Sequence, residues 1–246
     1  MQIIPAFVTQ NKCYQAGAPL TPRGIMLHSV GTPQPSAAVF ARSFNQYQPG
    51  GVSVCVHAFA QADGTVYQTL PWEMRGWHCG GSANSTHIGV EMTEPSAGMT
   101  RSEAAEQIAG TYRTVVELFA ELCKQYELDP AQDGVIIGHA EGHRRGVASN
   151  HADPELLWRT YDMGYTMDGF RRDVAEAMKN GAREEALDMP RYDSVAEMPQ
   201  WARADAQRLI DRGVLSGVGN GKLDLSLDMI RTMIVCQRML DEQKET

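Results

Sequence analysis

Seven histidines stand in the sequence, at positions 28, 57, 78, 87, 139, 143 and 151, few enough to weigh one by one. Two of them, His28 and His139, each follow a short apolar run, Gly-Ile-Met-Leu and Val-Ile-Ile-Gly. A sheet built from those runs would deliver both imidazoles to one rim. Downstream lies His151-Ala152-Asp153-Pro154, a carboxylate in a loop able to fold back over that rim. Two imidazoles and one carboxylate form a zinc-ligand set that leaves the fourth tetrahedral position for water. Zinc lowers the pKa of such a water to about 7 and polarises a carbonyl, which is hydrolytic chemistry. Hydrolysis also needs a group to take the water proton. Glu91, in His-Ile-Gly-Val-Glu-Met, is the candidate, because partial desolvation beside Ile88 and Val90 would raise its pKa towards neutrality. Glu94 competes for that role.

The elements that must position these groups can be read from periodicity. Residues 24–30, 51–59, 65–70, 87–92 and 135–138 read as short strands, with Ala62-Asp63-Gly64 as a hairpin turn between the second and third. Ser102 to Tyr126 has the i, i+3, i+4 apolar spacing of an amphipathic helix, through Ile108, Tyr112, Val115, Phe119 and Leu122. Residues 139–165 read as loop, and Met167 to Met178 as a further helix. Strands interleaved with helices predict an α/β domain, a central sheet flanked by helices, over residues 1–179. Residues 180–193 (NGAREEALDMPRYD) have linker composition. Residues 194–246 then predict a small helical module, with helices over Pro199–Arg212 and Leu227–Leu240 and a turn at Gly217–Gly221.

The totals narrow the function classes. Hydrophobic residues make up 43% and charged residues 21%, an ordinary globular composition. A net charge of −8 without a Lys/Arg stripe argues against a nucleic-acid partner and against an anionic membrane surface. No apolar run approaches the ~20 residues of a membrane span, so a membrane protein is not expected. The N-terminal residues lack the basic and apolar regions of a signal peptide, which predicts synthesis in the cytoplasm. Five cysteines at scattered spacings form neither a disulfide framework nor a cysteine zinc ribbon.

Taken in order, GIMLH, GVSVCVHAFAQADGTVYQTLP, RGWHCGG, THIGVEM, IIGH and HADP resemble the amidase-2 family. These are zinc N-acetylmuramoyl-L-alanine amidases that share a fold with the peptidoglycan-recognition proteins. The similarity spans roughly residues 20–180. Within it, GHAEGHRRGVASNHADPELLW is similar to amidases encoded by phages and prophages of clostridia and related Firmicutes.

Carried across residue by residue, the resemblance implies zinc ligands at His28, His139 and Asp153 and a general base at Glu91. The position two before the third ligand, usually Lys, is His151 here. It could stabilise an oxyanion, or serve as the third ligand in place of Asp153. His57, Trp77 and His78 match positions near the cleft and are implied substrate or supporting contacts, while His87 and His143 are expected to be surface or structural.

The implied reaction is cleavage of the amide between N-acetylmuramic acid and L-alanine in peptidoglycan. An endolysin released onto the cell wall is the leading expectation. A non-catalytic peptidoglycan-binding protein and a cytoplasmic muropeptide-recycling amidase are the alternatives. WARADAQRLIDRGVLSG is similar to half of a surface-layer-homology repeat, which would make the C-terminal module a cell-wall-binding or homo-oligomerising appendage, or else a simple helical cap.

Overall fold

The computed structural model describes residues 1–46, 54–188, 191–219 and 221–242. The chain divides into two compact units, Met1–Asn180 and Gly181–Thr246. Through the first unit run β1 (Gln2–Pro5), α1 (Lys12–Ala16), β2 (Gly24–Ser29), α2 (Ala37–Phe44), β3 (Ala58–Ala60), β4 (Thr65–Gln68), β5 (His87–Met92), α3 (Arg101–Gln125), β6 (Ile136–Gly138), α4 (His139–Arg144), α5 (Glu155–Thr160) and α6 (Met167–Asp188). Six strands form one mixed sheet in the order β1-β4-β3-β5-β2-β6, in which only the β3–β4 pair is antiparallel. This is the central sheet with flanking helices that the sequence predicts.

Strand β2 is buried along its whole length, as a parallel strand covered on both faces must be. Its alternation separates two environments. Ile25 and Leu27 join Ile88, Val90 and Ile136 in the main core, which is closed by Ile108, Val115, Leu118 and Phe119 of α3 and by Phe170 and Val174 of α6. Met26 points the other way, into a small cluster with Cys79, Ala83 and Ile137. His28 has the parity of Met26 and so emerges on that second face. Pairing with β5 sets His28 directly opposite Glu91, so both side chains leave the sheet on the same side. Helix α3 is opened by a capping box between Thr100 and Glu103, the start signal that the apolar period alone does not supply.

Three expectations need correction. The strand expected over residues 51–59 is confined to Ala58–Ala60. Cys55 instead exchanges backbone hydrogen bonds with Trp77, and Gly51–Ser53 lie outside the described residues. Residues 139–165 are not all loop, since they hold α4 and α5. Helices of six residues contain too few turns to register as a period. Residues 180–193 are not aperiodic either. Helix α6 continues to Asp188 through good helix formers, and Arg191–Tyr192 (β7) pairs antiparallel with Leu225–Ser226 (β8).

The second unit adds α7 (Gln200–Asp211) and α8 (Leu227–Glu242) to that ribbon, around Met198, Ala202, Ala206, Leu225, Ile230 and Ile234. Of the turn expected over residues 217–221, Asn220 lies outside the described residues. Among the described residues, no helix is long and apolar enough to cross a membrane.

Candidate metal centre and active site

Because β6 pairs with β2 up to Leu27↔Gly138, the next residues, His28 and His139, emerge side by side. His139 opens α4, whose start is fixed by Glu141. The Glu141 carboxylate accepts from Gly138 N at 3.3 Å and from Arg171 Nη1 at 2.9 Å, while the same guanidinium donates to Ile136 O at 2.9 Å. The loop that carries Asp153 is tied to both histidine elements. Ala140 N donates to Asp153 O at 3.0 Å, and Ser29 N donates to Asp153 Oδ2 at 3.3 Å. The outcome is a triangle: His28 Nδ1 to His139 Nδ1 is 3.0 Å, His28 Nδ1 to Asp153 Oδ2 is 3.3 Å, and His139 Nδ1 to Asp153 Oδ1 is 3.5 Å.

The outward hydrogen bonds reveal what the triangle requires. His78 Nε2 faces the carbonyl of His87 at 3.1 Å, and a carbonyl only accepts, so His78 carries its proton on Nε2. Burial, reinforced by His28 and His57, holds His78 neutral with its pKa well below the usual range. Its Nδ1 is then a lone pair, and it accepts from His28 Nε2–H at 2.9 Å. On the other side Ser149 Oγ donates its one proton to Cys79 O at 3.0 Å and therefore accepts from His139 Nε2–H at 3.3 Å. Both ligand-side Nδ1 atoms are left as lone pairs facing each other and a carboxylate.

Three acceptors at this spacing repel unless a cation joins them, either a proton on one imidazole or a metal ion. The second fits well. Zinc bonds of 2.0–2.1 Å imply tetrahedral edges of about 3.3–3.4 Å, and the two nitrogens and the nearer carboxylate oxygen to each, Oδ2 for His28 and Oδ1 for His139, lie 3.0–3.5 Å apart. Among the described residues, His28, His139 and Asp153 form the group able to hold a metal ion. Burial pushes His139 down to about 4, with His28 adding to the effect, so its ring stays neutral, as a metal ligand would have to be. Burial also pushes Asp153 up, but the adjoining His28 and His139 outweigh it and keep the carboxyl below its usual value.

Beside this triangle lies an open cleft of about 980 Å³, bordered by His28, Glu91, His139, His151, Asp153 and Trp77. Glu91 Oε2 is buried without a hydrogen-bond partner among the described residues. Burial, then Asp153 and Glu94, raises its carboxyl well above the usual range. Glu94, by contrast, is occupied, since its Oε1 accepts from Gly31 N at 2.9 Å. His151 stands at the rim with its side chain 61% exposed. Its ring stacks on His139 at 4.5 Å, and its Nδ1 lies 4.0 Å from Asp153 Oδ1.

The remaining histidines separate clearly. His57 is sealed, bonded through Nε2–H to Met74 O at 2.8 Å and accepting Gly89 N on Nδ1 at 2.9 Å. It has no surface of its own to offer a substrate. His78 is half-buried against His28, and Trp77 is half-buried on the cleft wall. His87 is structural, bonded to Gly134 O and Thr86, and His143 is exposed. Sequence reasoning missed Ser149 and Asn84, for which no pattern gives a sign. Gly89 did carry one, because a glycine inside a strand marks close approach. A Cβ there would lie 2.4 Å from His78 Cγ.

Residues 18–156, more than half of the chain and including every residue of the triangle, match the family model described as N-acetylmuramoyl-L-alanine amidase. The chain belongs to this family. It is an N-acetylmuramoyl-L-alanine amidase, an enzyme acting on peptidoglycan. The amidase shares its fold with solved structures of low identity. The hydrolase AmiA of Staphylococcus aureus, solved in complex with its ligand, is 20% identical with a TM-score of 0.56, over 72% of this chain and 83% of that one. The catalytic domain of XlyA is 22% identical with a TM-score of 0.52, over 71% and 99%. A mutant endolysin from Bacillus subtilis is 20% identical with a TM-score of 0.50, over 71% and 99%. No curated protein matches the amidase by sequence.

Proposed function

We propose that the amidase hydrolyses the bond between N-acetylmuramic acid and L-alanine with zinc held by His28 Nδ1, His139 Nδ1 and Asp153. The observation that carries this reading is the acceptor-only triangle with edges of 3.0–3.5 Å. Zinc, when bound, polarises the scissile carbonyl and acidifies water to a pKa of about 7. Glu91 accepts the proton of the attacking water at its unpartnered Oε2 and returns it to the amide nitrogen as the C–N bond breaks. The buried setting suits this role, because nothing else in the described structure competes for that oxygen and its raised pKa makes it a stronger base. His151, at the rim, donates a hydrogen bond to the oxygen that gains charge. Trp77 offers an apolar wall to the substrate.

We also propose a lysin that works on intact wall. The endolysin description of a structural neighbour and the presence of a second compact unit support this role, since a soluble fragment needs no anchor. The test is to incubate the protein with intact clostridial sacculi and with soluble muropeptides, with and without a chelator. Free stem peptides beginning at L-alanine, released from sacculi only without chelator, are expected. Release that survives metal removal would overturn the zinc reading, and activity on muropeptides alone would overturn the lysin reading.

A further inference from the structure

The polar contacts that the two histidines make away from the triangle converge on two consecutive residues. His28 leans on the side chain of His78 at 2.9 Å. His139 leans on Ser149 Oγ, which in turn donates to the carbonyl of Cys79 at 3.0 Å. That same carbonyl accepts Ser149 N at 2.8 Å, so position 149 is clamped twice. The segment is held from behind by the buried Asn84. Its Oδ1 accepts from His78 N at 2.9 Å, from Cys79 N at 3.0 Å and from the Cys79 thiol at 3.2 Å.

Glycines let the pieces meet. A Cβ at Gly89 would strike the His78 ring, and one at Gly81 would lie 2.2 Å from Val147 O. The three rings stand nearly edge to face, His28 at 81° to His78 and 89° to His139, an arrangement that only fixed ring planes maintain.

We propose that the His78–Cys79 segment is the shared outer support of both histidine ligands, with His78 and Ser149 as positioning residues and Asn84 as the residue that sets the segment. This rests on the zinc reading above. His78 fixes the ring plane and the proton position of His28, and Ser149 does the same for His139. Each thereby presents an Nδ1 lone pair to the metal. Without its partner either ring can turn about its Cβ–Cγ bond and put carbon where Nδ1 stood. Loss of such supporting partners typically weakens metal affinity by about 10–100-fold.

The test is zinc affinity of the full chain by competition with a chromophoric chelator, with the visible spectrum of the cobalt(II)-loaded protein as a second readout. His78→Phe keeps a ring against Gly89 but offers no acceptor, and should bind zinc about 10–100-fold more weakly. His78→Asn places a carboxamide oxygen where Nδ1 lies and should recover most of that loss. Ser149→Ala should weaken binding in the same direction through the other ligand. A changed cobalt spectrum should accompany both losses. If wild type binds zinc and both His78→Phe and Ser149→Ala bind it equally well, the outer-support assignment is overturned. If wild type itself binds none, the zinc reading falls and takes this proposal with it. Should His78→Phe fail to fold by far-UV circular dichroism, Ser149→Ala decides on its own.

Discussion

The site has a strand side and a loop side, and they are built differently. On the strand side, His28 and Glu91 face the cleft because β2 and β5 pair in a register that sets them opposite each other. A slip of one residue would send one of them to the other face, so the ladder that makes the core also places the groups. On the loop side, Asp153 is tied to the two histidine elements by Ala140 N to Asp153 O and Ser29 N to Asp153 Oδ2, and His151 stands exposed two residues before it. The sheet thus hides a carboxyl that works by being desolvated, and the loop offers groups that must reach solvent and substrate. The two carboxyls illustrate this, as Glu91 is raised by burial while Asp153 is lowered by its histidines.

The largest expected effect sets the two sides equal. Asp153→Ala and His28→Ala should each lose stoichiometric zinc and all measurable release of stem peptide, as read by metal analysis and mass spectrometry. Retained zinc in Asp153→Ala would mean that the loop does not complete the site. Next comes Glu91→Gln, which should keep zinc and lose about 10²–10⁴-fold in kcat. Glu91 acts as a base only when ionised, so kcat/KM should rise with pH through its raised pKa. That acid limb should lie above the roughly 4.3 of an ordinary glutamate and be absent from Glu91→Gln. A limb that survives the substitution assigns it to another group.

The same division explains what the sequence made legible. His28, His139 and Glu91 could be found because short apolar runs announce strands and a strand's end is a defined place. Asp153 was visible only through its Asp-Pro context and family order. The 3.3 and 3.5 Å contacts to the two histidines are what favour it over His151 in the proposal above. The short helices α4 and α5 were invisible because six residues carry no period. Ser149 and Asn84 were out of reach for a different reason. Ser149 works through an oxygen that meets a carbonyl 70 residues away, and Asn84 through one that meets backbone groups five and six residues back in an irregular stretch, neither of which shows as a period. For His57 the roles of substrate contact and support stayed open, because position near the cleft does not tell front from back.

His57 belongs to the strand side, bonded to Gly89 of β5, and it gives that side its own signature. Burial lowers it from 6.5 to about 4. The folded state thus excludes a proton that the unfolded chain accepts, and the stability this represents is full above pH 6.5 and lost as pH falls towards 4. At about 1.4 kcal/mol per unit the loss is on the order of 3 kcal/mol. His139, also lowered to about 4, adds in the same window. The thermal midpoint of zinc-free protein should therefore fall steeply between pH 6.5 and 4. A flat midpoint would show that these rings are not sealed.

The smallest effect is the one that discriminates most finely between the two sides. His151 and Asp153 are two residues apart on one loop, yet one is 61% exposed and the other 16%. An exposed ring shares its hydrogen bonds with water, so its contribution should fall below the 10²–10³-fold of a fully buried oxyanion donor, at about tenfold. His151→Ala should keep zinc and lose about that much in kcat, with KM little changed, and His151→Lys should restore part of it by returning a charged donor. Loss of zinc in His151→Ala would reverse the assignment, making His151 the ligand and leaving Asp153 to orient it. The 4.0 Å between their polar atoms permits contact in either case, so metal content, and not activity, is the measurement that separates them.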